Sequence, residues 1–398
     1  MAVSPRSNDW ICLLIFSLVI SVQYANVNPI PTPITEDYLD FIIPKTIIQG
    51  ADEKGAVCLD GSPPAYHFSS GKGEDASNWL IYLQGGGWCM SNDAYSTLDL
   101  SVENCSSRMG RELGSSFNMK PLIFKGIFGM NENYTTFYKW NRVVVRYCDG
   151  GSFAGDVEKP DPVTKLYYRG ARIFQVVVDE LMAKGMKDAK NVIFVGGSAG
   201  GLGVFVHCDR FTSRFPKGVR VKCLSDSSLF LIVKDPEHAK YFKAVFSDVV
   251  ALHQPNKSLP VECTSKMSPF ECFQPKNLVQ YVKSPLFIFH SAYDSFQVQN
   301  TFPIDLYRAI KNGSSISPSD MALLQDFKKQ IISALPKPSA TKGFIVTSNF
   351  GHSFASNNYK KPMFADSKSK SIESGFYNWF FDKHPINLID PNTVPIMF

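Results

Sequence analysis

Several features that would point to nucleic-acid binding or a repetitive architecture are missing from this 398-residue chain. It has no internal repeat, no low-complexity linker and no stripe of basic residues, and charged residues make up only 19% of it. The few basic pairs, such as Lys328-Lys329 and Lys360-Lys361, stand alone and are typical of solvated surface. We therefore expect no nucleic-acid partner, whereas the net charge of +5 suits an acidic polymer.

Long hydrophobic runs are also scarce, and the single notable one lies at residues 10–22, shortly after Arg6. This run is shorter than the roughly 18 apolar residues of a membrane span, and small residues such as Ser21 and Ala25 lie near its end. The pattern predicts a secretory signal peptide over residues 1–25 and a single domain over residues 26–398, with an uncleaved anchor as the alternative. After cleavage we expect a secreted, extracellular protein with no stable membrane association.

Metal-binding cysteine patterns are absent, because the chain has no C-x-x-C pair and no histidines clustered near its cysteines. We therefore expect no metal and no cofactor. One of the nine cysteines, Cys12, lies within the predicted signal peptide, and the even number that remains indicates up to four disulfides in an oxidising compartment. The candidates are Cys58, Cys89, Cys105, Cys148, Cys208, Cys223, Cys263 and Cys272. Cys208 with Cys223, and Cys263 with Cys272, are close enough in sequence to close short loops.

N-glycosylation sequons support the same compartment. Their acceptor side chains are Asn104, Asn133, Asn256 and Asn312. A single sequon occurs readily by chance, whereas several behind a predicted signal peptide support one another.

Apolar runs typical of strands alternate with helical patterns along the chain. Strands are predicted at 79–84, 142–147, 191–195, 219–224, 285–289 and 343–347, and helices at 168–184, 202–214, 320–335 and 369–381. Strands this apolar are usually covered on both faces, which favours a parallel sheet with helical crossovers. The sequence thus predicts an α/β fold with a doubly wound, mostly parallel sheet and helices on both faces.

A G-x-S-x-G sequence, Gly196 to Gly200, separates one predicted strand from the helix that follows it. The small flanking residues allow a sharp strand-to-helix turn, which is typical of the nucleophile elbow of α/β-hydrolases. Glycine-rich turns also bind phosphate, but no P-loop lysine follows here. We therefore predict an α/β-hydrolase-like fold with Ser198 as the nucleophile.

The partners of a nucleophilic serine in this fold follow in the order Ser, Asp or Glu, His, each after a strand. Asp294 and His352 fit that order, so we predict that they complete a catalytic triad. Asp294 is alternatively a helix N-cap, or both at once, and His352 is alternatively a solvated loop residue. Asp226 and His384 are rival candidates in less favourable places.

A run of three glycines and a tryptophan, Gly85 to Trp88, follows the first strong strand. Such a loop lets backbone N–H groups point into a site, as in the glycine loops of lipases. We predict an oxyanion hole formed by the N–H groups of Gly87, Trp88 and Ala199; the alternative interpretation is a plain tight turn.

Taken together, three motifs resemble the plant pectin acetylesterases, whose superfamily includes the animal carboxylesterase Notum. They lie at residues 82–89 (YLQGGGWC), 146–156 (RYCDGGSFAGD) and 196–201 (GGSAGG), and the similarity extends over roughly residues 40–390. The resemblance implies hydrolysis of acetyl esters on pectin galacturonate in the cell wall, with acetylated pectin as the partner. It implies the triad predicted above, and it implies disulfides Cys89–Cys105 and Cys58–Cys148.

Two departures from the family pattern lie near the predicted site. Family members commonly read Cys-x-x-His-Cys around the histidine, where this chain has Asn349 to Ser353. They usually read Ser-Asp-Ala-Gly where this chain has Ser225-Asp226-Ser227-Ser228. The alternatives to an acetylesterase are a Notum-like deacylase of longer acyl chains, a general carboxylesterase, and a catalytically silent fold that binds polysaccharide.

Overall fold

The structure, a computed structural model, describes residues 42–89, 97–357, 359–360 and 371–397. The predicted signal peptide lies outside these residues. Eleven strands occur in the described part of the chain: β1 (Ile42–Ile43), β2 (Lys45–Ile47), β3 (Ala65–Ser69), β4 (Asn78–Leu83), β5 (Leu122–Ile123), β6 (Asn141–Val145), β7 (Asn191–Gly197), β8 (Arg220–Asp226), β9 (Leu286–Ser291), β10 (Lys342–Thr347) and β11 (Asn387–Ile389).

Twelve α-helices lie in the same described ranges, many of them short. They are α1 (Leu98–Arg108), α2 (Gly170–Ala183), α3 (Ala199–Thr212), α4 (Lys240–His253), α5 (Val261–Thr264), α6 (Pro269–Phe273), α7 (Pro275–Leu278), α8 (Ser295–Thr301), α9 (Ile304–Asn312), α10 (Pro318–Ala334), α11 (Phe354–Asn357) and α12 (Ile372–Phe380). Single 3₁₀ turns occur at Gly73–Ser77, Gly126–Phe128, Met186–Asp188, Pro255–Lys257 and Val279–Tyr281.

Nine of the strands form one sheet in the order β11-β10-β9-β8-β7-β4-β6-β3-β2. All pairings from β11 to β6 are parallel, and only β3 and β2, at one edge, run antiparallel to their neighbours. The parallel strands end at the same edge of the sheet, so the loops that follow β4, β7, β9 and β10 meet there. That edge is where open α/β sheets hold their functional groups.

Both faces of the sheet are buried, as the apolar strands predicted. In β7, Val192 and Phe194 pack into a cluster with residues of α2 and α3, whereas Ile193 and Val195 pack into a second cluster with residues of α11 and α12. Alternate residues of a strand point to opposite faces. The prediction of a doubly wound, mostly parallel sheet with helices on both faces is therefore confirmed.

The sequence did not predict every element. The antiparallel edge strands β2 and β3 were missed, because they are short and carry the polar residues Lys45, Thr46 and His67 among apolar ones. The predicted strands were found, and their boundaries shifted by one or two residues. In the part of the chain described here, no helix is long and apolar enough to cross a membrane.

The sequon asparagines lie at or near the surface. Asn133, Asn256 and Asn312 are exposed, whereas Asn104, in α1, is half-buried. Their glycosylation remains a prediction.

Four disulfides join the predicted cysteines. The pairs are Cys58–Cys148, Cys89–Cys105, Cys208–Cys223 and Cys263–Cys272. The second pair ties the glycine-rich loop after β4 to α1, and the third ties α3 to β8. The four bridges are the pairs that the sequence spacing and the family resemblance predicted.

Removing the Cys208–Cys223 bridge tests this framework. A Cys208→Ala/Cys223→Ala variant should lose about 3 kcal/mol of unfolding free energy, because the bridge closes a loop of about 15 residues. Denaturant unfolding without reductant measures the loss, with the wild type under the same conditions as the control. An unchanged midpoint, or free thiols at these positions in the wild type, would contradict the assignment.

Candidate active site

Ser198 lies at the sharp turn between β7 and α3, in a backbone conformation with positive φ that is rare outside glycine (φ 57°, ψ −127°). Glycines make this turn possible. A Cβ at Gly196 would lie 2.2 Å from the carbonyl oxygen of Gly200, and one at Gly200 would lie 2.2 Å from that of Leu83. The G-x-S-x-G spacing is therefore required by close backbone contacts on both sides of the serine.

His352 joins the two other predicted residues through its ring. Its Nε2 lies 2.8 Å from Ser198 Oγ, and its Nδ1 lies 2.7 Å from Asp294 Oδ2. Ser198 is 8% exposed and Asp294 is completely buried, so the serine is reachable while the carboxylate is shielded. The structure thus brings together three residues from loops after β7, β9 and β10, at distances suited to proton transfer. Their catalytic roles remain a prediction.

Asp294 is also the N-cap of α8. Its Oδ1 accepts a hydrogen bond from the N–H of Gln297 at 3.0 Å, while its Oδ2 faces His352. The two interpretations of this residue are compatible, because each carboxylate oxygen has a different partner. The capping bond fixes the carboxylate in the orientation that contacts the ring.

The rival residues are placed elsewhere. The Asp226 carboxylate is completely buried and accepts hydrogen bonds from the N–H of Ala355 at 2.8 Å and from the hydroxyl of Ser227 at 2.9 Å. It does not occupy the position beside His352 Nδ1, which Asp294 fills. His384 is exposed beyond the end of α12.

The electrostatic surroundings make His352 a stronger base. Burial lowers its pKa, but the charge and hydrogen bond of Asp294, with the charge of Asp226, outweigh burial, and the net shift is upward. Burial lowers the pKa of the neighbouring His290 to about 4. His290 is therefore neutral at ordinary pH and does not compete as a cation for Asp294.

The carbonyl groups of the glycine-rich loop are held by two side chains. Tyr147 donates from its hydroxyl to the carbonyl of Gly87 at 2.7 Å. Arg108 donates to the carbonyl of Gly86 at 3.0 Å and also to that of Trp88. These hydrogen bonds to three consecutive carbonyl oxygens hold the loop in one conformation, in which Gly87 has φ +63°.

The three residues predicted to form an oxyanion hole differ in exposure. Gly87 lines the same cavity as Ser198, whereas Trp88 and Ala199 are buried. Ala199 is the first residue of α3, so its N–H has no intrahelical acceptor. The Trp88 indole donates to Ser152 Oγ at 3.0 Å, which fixes that residue. Stabilisation of an oxyanion by these N–H groups remains a prediction.

A cavity of about 500 Å³ opens above the serine. It is lined by Tyr82, Gln84, Gly85, Gly86, Gly87, Leu122, Ile123, Lys125, Phe128, Val144, Ser198, Phe296, His352, Ser353, Ser356 and Asn357. The lining combines apolar and aromatic side chains with amide, hydroxyl and ammonium groups. None of the described lining residues is acidic, although Asp226 and Asp294 lie buried beneath them.

Phe296 and Lys125 are among the lining residues that were not predicted from the sequence. Phe296 stacks on the His352 ring at 5.4 Å between centroids. Lys125 is exposed and precedes Gly126, where a Cβ would lie 2.3 Å from the carbonyl oxygen of Ala355. That contact holds the Lys125 segment against α11, directly after the histidine loop. Phe296 follows Asp294 closely enough to have been suggested by position, whereas nothing local in the sequence marked Lys125.

The parallel sheet and the serine at its strand–helix turn define an α/β-hydrolase. A family profile described as Pectinacetylesterase matches residues 37–397. Pectin acetylesterase 7 of Arabidopsis thaliana is 41% identical over 364 residues, covering 87% of this chain and 90% of that protein. Pectin acetylesterase 11 of the same plant is 37% identical, again covering 87% of this chain and 90% of that protein.

The chain therefore belongs to the pectinacetylesterase family and is a carboxylic ester hydrolase. A crystal structure of the Wnt deacylase Notum from Drosophila matches with a TM-score of 0.71, covering 89% of this chain and 97% of that one. At 21% identity, this likeness shows a shared fold.

The pKa of His352 generates a prediction for pH dependence. A general base acts in its neutral form, so kcat/KM for a small neutral ester should rise with pH through the pKa of His352, above the ordinary value of about 6.5. Initial rates between pH 5 and pH 9 measure the ascending limb. His384→Gln is the matched control and should leave the ascending limb of kcat/KM at the same pH. An ascending limb below pH 6, or one that moves in His384→Gln, would contradict the role of His352 as the general base.

Proposed function

We propose that this protein is a secreted serine esterase that removes acetyl groups from pectin, principally from its galacturonate chains, during cell-wall remodelling. The observation that carries the serine mechanism is the pair of His352 contacts, 2.8 Å to Ser198 Oγ and 2.7 Å to Asp294 Oδ2. Membership of the pectinacetylesterase family supports acetylated pectin as the substrate.

In the acylation step, Ser198 Oγ attacks the carbonyl carbon of the acetyl ester while its proton moves to His352 Nε2. Asp294 stabilises the imidazolium that results and holds the ring in the required tautomer. When the tetrahedral intermediate collapses, the bond between the carbonyl carbon and the sugar oxygen breaks. The leaving sugar oxygen takes the proton from His352, which leaves an acetyl group on Ser198.

In the deacylation step, a water molecule gives a proton to His352 Nε2 and attacks the acetyl carbon. The second tetrahedral intermediate collapses, the proton returns from His352 to Ser198 Oγ, and acetic acid departs and ionises to acetate in solvent. The N–H groups of Gly87, Trp88 and Ala199 would stabilise the negative oxygen of both intermediates, each such donor contributing typically ~3 kcal/mol. The hydrogen bonds from Arg108 and Tyr147 to the glycine-rich loop support this role, because they limit its motion.

An anionic substrate fits the charge of the cavity. Lys125 is exposed at the lining, and none of the described lining residues is acidic. The ammonium group of Lys125 would attract the carboxylate of a galacturonate unit next to the one being deacetylated. The hydroxyl and amide groups of Ser356 and Asn357 would serve as hydrogen-bond partners for sugar hydroxyls.

The location follows from the sequence and is part of the proposal. A signal peptide over residues 1–25 would deliver the single domain of residues 26–398 to the secretory pathway, where disulfides form and sequons are glycosylated. The exposed Asn133, Asn256 and Asn312 are the better glycosylation candidates, since Asn104 is half-buried in α1.

Replacement of the nucleophile tests the reaction itself. Ser198→Ala should abolish acetate release from acetylated pectin and leave unfolding unchanged, because only the hydroxyl is removed. The assay compares acetylated pectin with p-nitrophenyl esters of increasing chain length, and Ser213→Ala, in which a hydroxyl is lost from the far end of α3, is the control. Wild-type turnover in Ser198→Ala would refute the serine mechanism. A preference for long acyl esters over acetyl esters would favour the longer-chain deacylase, and no turnover of any ester by the wild type would favour a silent binding fold.

Replacement of the cavity lysine tests substrate charge. Lys125→Gln should raise KM for acetylated polygalacturonate by about 2- to 5-fold, the range of an exposed ion pair, and leave KM for p-nitrophenyl acetate unchanged. Lys217→Gln makes the same charge change before β8, at the opposite end of the strand from the site, and should change neither value. If KM for acetylated polygalacturonate is the same in Lys125→Gln and Lys217→Gln, Lys125 does not bind the galacturonate carboxylate.

A further inference from the structure

We propose that Asp226 and Ser227 form a positioning bridge that sets the distance between Ser198 and His352. The two residues, called here the Asp226–Ser227 bridge, end β8 and begin the loop after it. Neither touches the reacting atoms in the proposed mechanism. The inference rests on the proposed function, because it concerns how the nucleophile and base of that reaction are held together.

One end of the bridge holds the nucleophile turn. The N–H of Ser198 donates to the main-chain carbonyl of Asp226 at 2.9 Å. This bond falls where the pairing of β7 with β8 ends and the turn to α3 begins. This hydrogen bond therefore fixes the backbone of Ser198 relative to Asp226.

The other end holds the segment that follows the histidine. The hydroxyl of Ser227 accepts a hydrogen bond from the N–H of Ser353 at 3.0 Å and donates its own proton to Asp226 Oδ1 at 2.9 Å. The other carboxylate oxygen, Oδ2, accepts from the N–H of Ala355 at 2.8 Å. The N–H groups one and three residues after His352 are thus bound to Ser227 and to Asp226, and Asp226 also holds the backbone of Ser198.

The Asp226–Ser227 bridge buries polar groups and holds unfavourable backbone conformations, neither of which a simple connection between a strand and a loop requires. Asp226 and Ser227 are completely buried, and burial raises the pKa of the Asp226 carboxyl to about 6. Ser227 has φ 52° and Ser353 has φ 59°, in the left-handed region that is unfavourable for residues other than glycine. Buried polar groups and strained backbone persist where the surroundings fix them, and they concentrate at functional sites.

The two departures from the family pattern meet at this bridge. The chain has Ser227 where the pattern has alanine, and Ser353 where the pattern has the cysteine after the histidine. The Ser227 hydroxyl provides the hydrogen bond to the Ser353 backbone, which an alanine side chain cannot make. A hydrogen-bonded link thus anchors a histidine loop in which the flanking cysteines of the pattern are replaced.

The experiment compares two buried serines of the same segment. Ser227→Ala removes the hydroxyl bound to the histidine loop, whereas Ser225→Ala removes one that donates to the carbonyl of Gly201 at 3.0 Å. With p-nitrophenyl acetate, kcat of Ser227→Ala should fall about 10- to 100-fold, the scale of a small misplacement of reacting groups, while KM stays unchanged. Ser225→Ala should keep wild-type kcat, although it too loses a buried hydrogen bond.

A glycine variant separates the hydroxyl from the backbone strain. Ser227→Gly accommodates φ 52° without strain but lacks the hydroxyl, so its kcat should fall as far as that of Ser227→Ala. Recovery of wild-type kcat in Ser227→Gly would overturn the proposal. If Ser227→Ala does not fold, this variant carries the test alone.

The pH dependence of kcat/KM gives a second measurement, which a general loss of packing would not shift. The groups that face His352 are Asp294, Asp226, His290 and Ser198, and the Asp226 charge helps raise its pKa. Asp226→Asn removes that charge and should shift the ascending limb of kcat/KM to lower pH. Ser227→Ala keeps the charge and should leave the limb in place while kcat falls.

The outcomes separate this inference from the proposed function. Wild-type kcat in Ser227→Ala, or equal losses in Ser225→Ala and Ser227→Ala, would overturn the bridge while leaving the serine mechanism intact. A limb that moves in Ser227→Ala would also overturn it, because a change in position alone leaves the charges around His352 in place. Full activity of Ser198→Ala would instead refute the proposed function.

Discussion

The hydrogen bond between Ser198 Oγ and His352 Nε2, at 2.8 Å, is the interaction on which the rest of this site depends. The two residues are far apart in sequence, and each lies in a loop after a different strand of the sheet. Around that contact, Asp294 orients the ring, Gly196 and Gly200 permit the serine turn, and Phe296 packs on the imidazole. The sheet edge provides a common base for loops that would otherwise move independently.

Rigidity is built into each loop by a different means. A disulfide and the side chains of Arg108 and Tyr147 hold the glycine-rich loop after β4. Another disulfide ties α3 to β8, and the side chains of Asp226 and Ser227 hold the histidine loop by accepting hydrogen bonds from its backbone. Proton transfer depends steeply on distance, so a site assembled from loops needs such supports close to its reacting groups.

Much of the fold and the order of the site residues could be predicted from sequence, because both follow from local rules. The parallel strands carry uninterrupted apolar runs, the Ser198 turn requires glycines at fixed spacing, and Asp294 and His352 follow their strands in the order of the fold. Other features depend on contacts between loops that have no periodic pattern. The Ser227–Ser353 bond leaves no local signal in the sequence, and neither does the presence of Lys125 in the cavity that Ser198 lines; both depend on how the loops pack in the folded chain.

Covalent labelling with a fluorophosphonate tests the central claim most directly, because the reagent reacts with a serine only when a base activates its hydroxyl. The labelled protein would be digested and the modified peptide identified by mass spectrometry, with His352→Ala as the comparison. The account predicts a single label on Ser198 that is lost in His352→Ala, while Ser198 remains in a folded protein. A label on another serine, or undiminished labelling of Ser198 without His352, would contradict it.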